Sequence, residues 1–263
     1  MQPNGIITLL TDFGSRDAYV GIVKGVMLGI CPAARLVDLT HEVPAQAVRL
    51  GALLLRSAVG YFPDGTIHLA VVDPGVGSAR DPIVVTTPRA CLVGPDNGVL
   101  APAAAALGTP IVHRLTNETL RRLPVSHTFH GRDIFAPAAA HLAAGTPPDA
   151  FGPRLSALQP LALPEPRVEP TAVHGEVIYV DHFGNLVTNI GTDALGAFRP
   201  QSLSVRIAGT MISALVSSYA AAAPGAPLAL IGSWGTLELA VRDGNAATAL
   251  RAGIATPVTV TGE

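Results

Sequence analysis

Residues 65–80, GTIHLAVVDPGVGSAR, decide the fold of the first half of this chain. Residues 65–72 form an apolar run with the length and composition of a buried β-strand. The run ends in a loop with two glycines, Gly75 and Gly77, which let the backbone turn sharply. In α/β sheets, ligands bind at the loops that follow the carboxyl ends of strands. This stretch therefore predicts a buried strand with a candidate ligand site at its end.

The segments before this strand alternate between strands and helices. Short apolar runs predict strands at residues 6–10 and 35–40. Apolar residues at three- and four-residue steps predict helices at residues 19–30 and 45–59. The alternation predicts an α/β fold for residues 1–155, a layered N-terminal domain with a central, mostly parallel sheet.

The composition changes in the second half of the chain. Residues 156–170 are rich in proline and lack periodicity, which is typical of a linker. Residues 171–263 contain short alternating or apolar runs with little helical pattern, and such runs predict a smaller C-terminal domain built as a β-barrel. The predicted strands are 175–180, 186–190, 203–207, 227–231, 237–241 and 257–260.

Charge and composition argue against several classes of partner. The 263 residues include 17 basic and 19 acidic side chains, which gives a formal charge of -2 and no basic patch for nucleic acid or an anionic membrane. The sequence shows no signal peptide and no apolar run of about 18 residues. Cys31 and Cys91 are isolated, so neither a disulfide framework nor a zinc site is indicated. We expect a cytoplasmic protein that binds a small ligand and needs no metal.

Three polar residues on two loops are candidates for catalysis. Asp73 and Arg80 can face each other across the loop that follows residues 65–72. The alternative is an ion pair that only closes the loop, since structural pairs of this kind are common. His130, in TFHGRDIF, precedes an alanine-rich helical segment. The alternative for His130 is a structural role, in which its ring forms hydrogen bonds with the backbone and Asp133 caps the helix.

Other residues lie where a nucleoside could bind. Asp12 ends the first strand, in TDFG, where a carboxylate can accept hydrogen bonds from two ribose hydroxyls. It can equally cap a turn. In the C-terminal half, DHFGNLVTN at 181–189 places a carboxylate, an aromatic ring and an amide around one glycine. This segment, GSWG at 232–235 and GNA at 244–246 could all be simple turns without a ligand.

Together, these motifs resemble a known family over nearly the whole chain, the S-adenosyl-L-methionine hydroxide adenosyltransferases, which are related to the fluorinase and chlorinase. The resemblance implies an N-terminal α/β domain and a C-terminal β-barrel. It also implies a homotrimer in which each active site lies between the N-terminal domain of one subunit and the C-terminal domain of its neighbour. The matching segments, in order, are LLTDFGSRDAYVGIVKG, VDLTHEV, VVDPGVGSAR, GPDNG, TFHGRDIFAP, DHFGNLVTNI, and GSWGTLELAV with GNAA.

The resemblance assigns catalytic roles to the three candidate residues. Asp73, Arg80 and His130 match the residues that are typical of the hydroxide-using branch of the family. The fluorinase carries a Tyr where this chain has Asp73, and a Tyr-Ser pair where it has His130-Gly131. The serine that binds fluoride is therefore absent, and the resemblance favours water as the nucleophile.

The resemblance also implies a set of substrate ligands. Asp12 is similar to the residue that binds the ribose hydroxyls, and Phe129 is similar to a wall near the ribose or adenine. The remaining matches are Asp181 and Ser233 for the amino and carboxylate groups of methionine, and Phe183, Asn185 and the backbone around Ala246 for adenine.

The implied reaction is hydrolysis of S-adenosyl-L-methionine to adenosine and L-methionine, by attack of water at ribose C5′. Methionine leaves as a neutral thioether, so only the nucleophile must be prepared. Asp73 and Arg80 are expected to orient the water and lower its pKa. His130, with an ordinary pKa of about 6.5, is the candidate acceptor for the proton that the water loses. No cofactor is expected. The alternatives are a chlorinase-like enzyme that uses halide and a protein that only binds S-adenosyl-L-methionine.

Overall fold

The computed structural model describes residues 2–196, 198 and 202–262. These residues form two compact units, one that extends to Ala162 and one that begins at Leu163. The proline-rich segment at 156–170 is divided between the two units. Each helix in the described part of the chain is too short or too polar to cross a lipid bilayer.

The first unit alternates strands and helices from residue 6 to residue 71, as the sequence predicts, and the next two strands follow without a helix between them. A π-helical turn at Gly131–Phe135 leads into its last α-helix. Short 3₁₀ helices occur at Glu118–Leu120 and Pro148–Phe151. The strands and α-helices are β1 (Ile6–Thr11), α1 (Tyr19–Ile30), β2 (Arg35–Thr40), α2 (Val48–Val59), β3 (Thr66–Val71), β4 (Pro82–Thr86), β5 (Ala90–Pro95), α3 (Ala101–Ala106), β6 (Ile111–Arg114), α4 (Ala136–Ala143) and β7 (Arg154–Leu155).

The strands of the first unit form one sheet in the order β2-β1-β3-β5-β4-β6-β7. The strands β2, β1, β3 and β5 are parallel, which agrees with the prediction for this part of the sheet. The prediction of a mostly parallel sheet is wrong for the other half, because β4, β6 and β7 join in antiparallel orientation. Only residues 87–89 connect β4 to β5, and a crossover between parallel strands needs a dozen or more residues.

The helices of the first unit cover both faces of the sheet. On one face, α1 and α4 bury side chains such as Met27 and Ala139. On the other face, α2 and α3 bury Leu55 and Ala103. Every residue of β3 is buried, which explains its continuous apolar sequence. The layered arrangement therefore places the carboxyl end of β3 in the interior of the unit, where its following loop is held by packed elements.

The helix α2 begins three residues later than the predicted residue 45. Gln46 has a φ of 67°, in the left-handed region that an α-helix does not use. The backbone N–H of Gln46 donates to Oδ2 of Asp12 at 2.8 Å, so this conformation is tied to a contact outside the helix. Periodicity of apolar residues cannot reveal such a contact.

The second unit consists mainly of strands. A 3₁₀ helix occurs at Tyr219–Ala221. The strands and α-helices are β8 (Arg167–Val168), β9 (Ala172–Val180), β10 (Leu186–Gly191), α5 (Thr192–Leu195), β11 (Ser204–Ile207), β12 (Thr210–Ser213), β13 (Pro227–Ile231), β14 (Thr236–Val241), α6 (Ala246–Ala249) and β15 (Pro257–Thr261).

These strands form a sheet in the order β12-β11-β15-β9-β10-β14-β13, with β8 paired to β9. All neighbours in the sheet are antiparallel. The N–H of Val216, just after β12, donates to the carbonyl of Ala229 in β13, so the two ends of the sheet approach each other. The sheet is thus nearly barrel-shaped, and it encloses a core that includes Val205, Leu239 and Val258.

The strand β12 is missing from the sequence prediction. It forms a hairpin with β11 through Ala208 and Gly209, whose φ angles are 47° and 81°. A two-residue turn with two positive φ angles usually has the sequence Asn-Gly or Asp-Gly, which makes it recognisable in a sequence. Alanine at the first position gives no such signal.

Candidate active site

The loop that carries Asp73 is fixed at its start and in its middle. Asn97 donates from Nδ2 to the carbonyl of Val72 at 2.8 Å, directly before Asp73. Gly77 has a φ of 77°, and a Cβ there would collide with the carbonyl oxygen of His127. Glycine is therefore needed for the loop to lie against the segment that carries His130.

Asp73 and Arg80 form a two-point ion pair. Arg80 donates from Nε to Oδ1 of Asp73 at 3.0 Å, and its Nη2 donates to Oδ2. The side chains are only 9% and 6% exposed for Arg80 and Asp73, respectively. The guanidinium also lies over the ring of Phe135, 5.2 Å from its centroid. The planar guanidinium matches both carboxylate oxygens, which fixes the orientation of Asp73.

The same guanidinium contacts His130. Nη2 of Arg80 lies 2.8 Å from Nδ1 of His130. Because a guanidinium can only donate, Nδ1 accepts and carries no proton, and the neutral imidazole has its proton on Nε2. Burial, together with the charge of Arg80, lowers the pKa of His130 below its usual value of 6.5. In this arrangement His130 is a neutral side chain whose remaining polar atom, Nε2–H, is a donor.

One donor of the network has no hydrogen-bond partner. Nη1 of Arg80 is buried and unpaired among the described residues. A buried donor of this kind costs free energy unless a ligand or water satisfies it. The network of Asp73, Arg80 and His130 therefore keeps one N–H donor that is not used within the described part of the chain. The structure brings all three predicted catalytic residues together in one connected set of hydrogen bonds.

The segment before α4 is held by Asp133. This carboxylate is fully buried and accepts from Nε of Arg132 at 2.7 Å and from the N–H of Ser126 at 2.9 Å. These bonds stabilise the π-helical turn that starts next to His130. Asp133 is therefore structural, as the alternative held, but it bonds to Arg132 and to the backbone of Ser126 and does not cap the helix.

Phe129 lies beside the loop of Asp12. Its ring contacts those of Phe13 and Tyr19 edge to face, with centroid separations of 5.9 and 5.1 Å. A Cβ on Gly131 would lie 3.1 Å from Cζ of Phe13, so the absence of a side chain there permits the close approach. The predicted ribose ligand Asp12 thus lies on the loop next to the segment that carries His130.

The second unit contains an open groove of about 780 Å³. It contains four of the residues that the sequence predicts for substrate binding: Asp181, Phe183, Asn185 and Ser233. The ring of Phe183 is 72% exposed, as a surface for stacking would be. The fifth, Ala246, is buried outside the groove lining at the start of α6, and the neighbouring N–H of Ala247 donates to Gly184 at 2.9 Å.

The carboxylate of Asp181 is engaged by its own turn. Oδ1 accepts from the N–H groups of Phe183 and Asn185 at 2.9 and 2.7 Å, and Oδ2 accepts from Nδ2 of Asn185 at 2.9 Å. These three bonds hold the turn between β9 and β10. Asp181 therefore stabilises its own turn, and Oδ2, which accepts only one of these bonds, keeps a lone pair for a ligand.

The groove also contains Tyr219, Glu238 and Arg242, which sequence reasoning missed. Glu238 lies in β14 and is only 7% exposed, and the hydroxyl of Tyr219 donates to its Oε1 at 2.5 Å. Burial raises the pKa of Glu238, and the hydrogen bond to Glu238 raises the pKa of Tyr219 to about 12. The signal available in the sequence was a carboxylate within the apolar strand TLELAV, since an unpaired buried charge is costly.

The described residues do not form a metal site. Within residues 2–196, 198 and 202–262, no three His, Cys, Asp or Glu side chains come together as a metal site requires. The expectation that the protein needs no cofactor stays a prediction.

Comparisons with known proteins agree over most of the chain. Models of the N-terminal and C-terminal domains of S-adenosyl-L-methionine hydroxide adenosyltransferases match residues 7–152 and 175–259. The chain is 43% identical to the (R)-S-adenosyl-L-methionine hydrolase of Salinispora tropica, over 95% of each chain. It is 40% identical to the protein of that name from Thermus thermophilus, over 93% of this chain and 94% of the other.

The fold is also similar to a solved structure. The crystal structure of an uncharacterized conserved protein from Thermotoga maritima matches with a TM-score of 0.92 and 38% identity, over 97% of this chain and 99% of that one. A fluorinase from Nocardia brasiliensis is a more distant relative, 28% identical over 97% of each chain.

Proposed function

Because the chain belongs to the S-adenosyl-L-methionine hydroxide adenosyltransferase family, we propose that it hydrolyses S-adenosyl-L-methionine to adenosine and L-methionine. The observation that carries the proposal is the buried guanidinium of Arg80, which contacts both Asp73 and His130 and keeps one N–H unpaired. The names of the relatives at about 40% identity support the same activity.

In the proposed reaction, the oxygen of water bonds to ribose C5′ while the C5′–S bond breaks. The bonding electrons go to sulfur, so methionine leaves as a neutral thioether and needs no proton. The water loses one proton in the process. This chemistry is helped by groups that orient the water, remove its proton and exclude bulk solvent.

The contacts support a division of labour within the network. Asp73 is held by Arg80 and has lone pairs that can accept a hydrogen bond from the attacking water and its proton. Nη1 of Arg80 and Nε2–H of His130 are donors that can hold the oxygen and favour hydroxide. His130 is then an orienting residue. We prefer this role to the proton acceptor suggested by its ordinary pKa, since its lone pair faces the guanidinium.

The configuration of the substrate at sulfur is part of the proposal. The relatives are named for the (R) form of S-adenosyl-L-methionine, and since the L label already describes the α-carbon, (R) describes the sulfonium. We propose that this chain also acts on the (R) epimer. Such an enzyme would remove one sulfonium epimer and spare the other.

The remaining substrate contacts and the assembly complete the proposal. Asp12 binds the ribose hydroxyls, and Phe129 forms a wall near the ribose or adenine. We propose a cytoplasmic homotrimer in which each active site combines residues of neighbouring subunits, without metal or cofactor. The C-terminal ligands are Asp181 and Ser233 for methionine, and Phe183, Asn185 and the backbone around Ala246 for adenine.

The proposal is tested by incubating the pure protein with each sulfonium epimer in water enriched in oxygen-18. Mass spectrometry should find the label in the 5′-hydroxyl of adenosine and not in methionine, with the (R) epimer consumed faster. Tight binding without turnover would instead favour a protein that only binds the substrate. Formation of 5′-chloro-5′-deoxyadenosine with added chloride would favour the halide-using alternative.

A further inference from the structure

The loop that carries Asp12 is held by the segment that follows β2. The N–H of Gly14 donates to the carbonyl of His41 at 2.8 Å, and the N–H of Gln46 donates to Oδ2 of Asp12 at 2.8 Å. Within the described part of the chain, Oδ1 of Asp12 accepts no hydrogen bond and Oδ2 accepts this one. The carboxylate is therefore anchored at one oxygen and keeps free lone pairs on both.

The ring of His41 is linked to both neighbours of Asp12. Nδ1 lies 2.8 Å from Oγ1 of Thr11, and this oxygen accepts from the N–H of Phe13 at 3.2 Å. Thr11 is 1% exposed and the side chain of His41 is 10% exposed, so little water competes for these bonds. A shift of the ring would therefore move the residues before and after Asp12 together.

Asp38 lies on the opposite side of the ring. Its Oδ1 is 3.1 Å from Nε2 of His41, a charge contact without the alignment of a hydrogen bond, and its Oδ2 accepts from Nζ of Lys24 at 2.6 Å. Burial opposes the ionised form of Asp38, but the contacts with Lys24 and His41 outweigh burial and lower the pKa of Asp38. Because a carboxylate only accepts, the neutral ring carries its proton on Nε2, and Nδ1 accepts from the hydroxyl of Thr11.

A carboxylate must be placed accurately to meet two hydroxyls of one ribose, since a misplacement of about 1 Å can cost about 100-fold in rate. The side chain of Asp12 is fixed at one oxygen, whereas its backbone is fixed through Thr11 and Phe13. We infer that His41, supported by Asp38, is a positioning residue that places Asp12 against the ribose hydroxyls of the substrate. This inference rests on the proposed function for the identity of the ligand.

The test uses a ratio that reports the contact between Asp12 and the ribose. This ribose preference is kcat/KM for S-adenosyl-L-methionine divided by kcat/KM for its 2′-deoxyribose analogue. In the wild type it should be about 10- to 100-fold, as charged hydrogen bonds usually contribute. The variant Asp12→Ala gives the value without the contact.

Two substitutions of His41 should differ in their effect on the ribose preference. His41→Leu removes both polar contacts of the ring, and the preference should fall to less than about threefold because Asp12 is misplaced. His41→Asn has an amide oxygen that can accept from Thr11, so it should keep an intermediate value. In the Asp12→Ala background, His41→Leu should have no further effect on the preference, since both substitutions remove the same contact.

The strand β1 contains a matched control for the pairing of Thr11 with His41. Oγ1 of Thr8 lies 2.8 Å from Nδ1 of His68, and both residues are fully buried. Thr11→Val and Thr8→Val each remove one hydroxyl that contacts a histidine. The first should reduce the ribose preference by at least about threefold, the usual effect of one hydrogen bond, and the second should leave it unchanged.

A further variant keeps the test decisive if His41→Leu does not fold, as judged by circular dichroism. The side chain of Asp38 is 41% exposed, and Asp38→Asn removes the charge beside Nε2 of His41. The ribose preference of this variant should lie between those of the wild type and Asp12→Ala. An unchanged preference would overturn the inference.

Other results would overturn it as well. A wild type without a ribose preference would show that Asp12 does not contact the hydroxyls. An unchanged preference in folded His41→Leu would leave the histidine with a structural role only, and an equal loss in Thr8→Val and Thr11→Val would indicate a general loosening of β1. The proposed function fails separately, if the wild type binds both compounds without turnover. The preference is then measured by calorimetry as a ratio of dissociation constants.

Discussion

The network around Arg80 and the groove of the second unit differ in how tightly their polar side chains are packed and paired. In the network, Asp73 and His130 are both bonded to one guanidinium, and the side chains of the ion pair are almost fully buried. In the groove, carboxylates are bonded to a turn or to a tyrosine, and a volume of about 780 Å³ stays open. The first arrangement positions a few atoms for chemistry, whereas the second leaves room for a ligand.

The largest effect is expected from a change within the network. Asp73→Asn keeps the shape of the side chain but removes the acceptor for the proton of water and leaves Arg80 without its counter-ion. We expect kcat to fall about 10²- to 10⁴-fold, the usual contribution of a positioned base, with little change in substrate binding. Single-turnover kinetics and calorimetry measure the two quantities.

Asp81→Asn is the matched control for this substitution. Asp81 ends the same loop and pairs with Arg114 at 2.8 Å, but both side chains are partly exposed. An ion pair of this kind contributes about 0–1 kcal/mol, so activity should change little. If the two variants lose activity to the same extent, Asp73 only closes the loop.

The two units also differ in their expected response to acid. His68 is fully buried in β3, and burial lowers its pKa to about 4. The unfolded chain binds a proton near pH 6.5, so the contribution of the neutral histidine is complete above that pH. As the pH falls from about 6.5 to 4, this contribution is lost, and the free energy of unfolding decreases by roughly 3 kcal/mol.

Urea unfolding at pH 7, 5.5 and 4 checks this expectation. The dependence of stability on pH should be smaller in His68→Gln, which does not titrate. The single tryptophan, Trp234, lies in the second unit, so its fluorescence reports that unit while circular dichroism reports both. An identical pH dependence in the variant and the wild type would contradict the assignment to His68.

A smaller loss of stability is expected from Asp181→Ala in the second unit. Three hydrogen bonds that hold the turn disappear, and we expect a loss of about 1–3 kcal/mol in the fluorescence-detected transition. Asp243→Ala removes an exposed carboxylate from the same groove and should cost less than about 0.5 kcal/mol. Unchanged stability in Asp181→Ala, together with weaker substrate binding, would show that Asp181 acts as a ligand and contributes little to the turn.

The smallest effect concerns the pH dependence of activity. Protonation of His130 at Nδ1 would remove its acceptor for Arg80 and place two cations side by side. Because its pKa is lowered, the neutral form persists below pH 6.5, and kcat/KM should decline only at more acidic pH. His130→Asn should lose this acid limb. If kcat/KM already declines above pH 6.5, or if the acid-side decline is retained in His130→Asn, the role of neutral His130 is refuted.

The sequence predicted those parts of the molecule that local patterns determine. The apolar run before Asp73 defined a buried strand, and the glycines after it defined a tight loop. Asp73, Arg80 and His130 were each as compatible with structural roles, and only the resemblance of the whole chain to a family grouped them. Their actual grouping depends on contacts between residues 50 positions apart, which no local pattern contains.

The parts that escaped prediction depend on distant contacts or on unusual backbone angles. The late start of α2 reflects the bond between Gln46 and Asp12, and β12 follows a turn in which alanine has a positive φ. Glu238 was overlooked because it belongs to an apolar strand and its partner, Tyr219, is 19 positions away. Such features become visible only when the chain is folded.

The shared nitrogen Nη2 of Arg80 has a consequence for how this family can diversify. Replacing Asp73 alone leaves the buried guanidinium of Arg80 without its counter-ion. Replacing Arg80 alone leaves the buried carboxylate of Asp73 and the acceptor Nδ1 of His130 without their donor. The effects of the three positions are therefore expected to be strongly epistatic. A change of nucleophile that replaces these residues one at a time is therefore expected to pass through poorly active intermediates, which would make the choice of nucleophile slow to change in evolution.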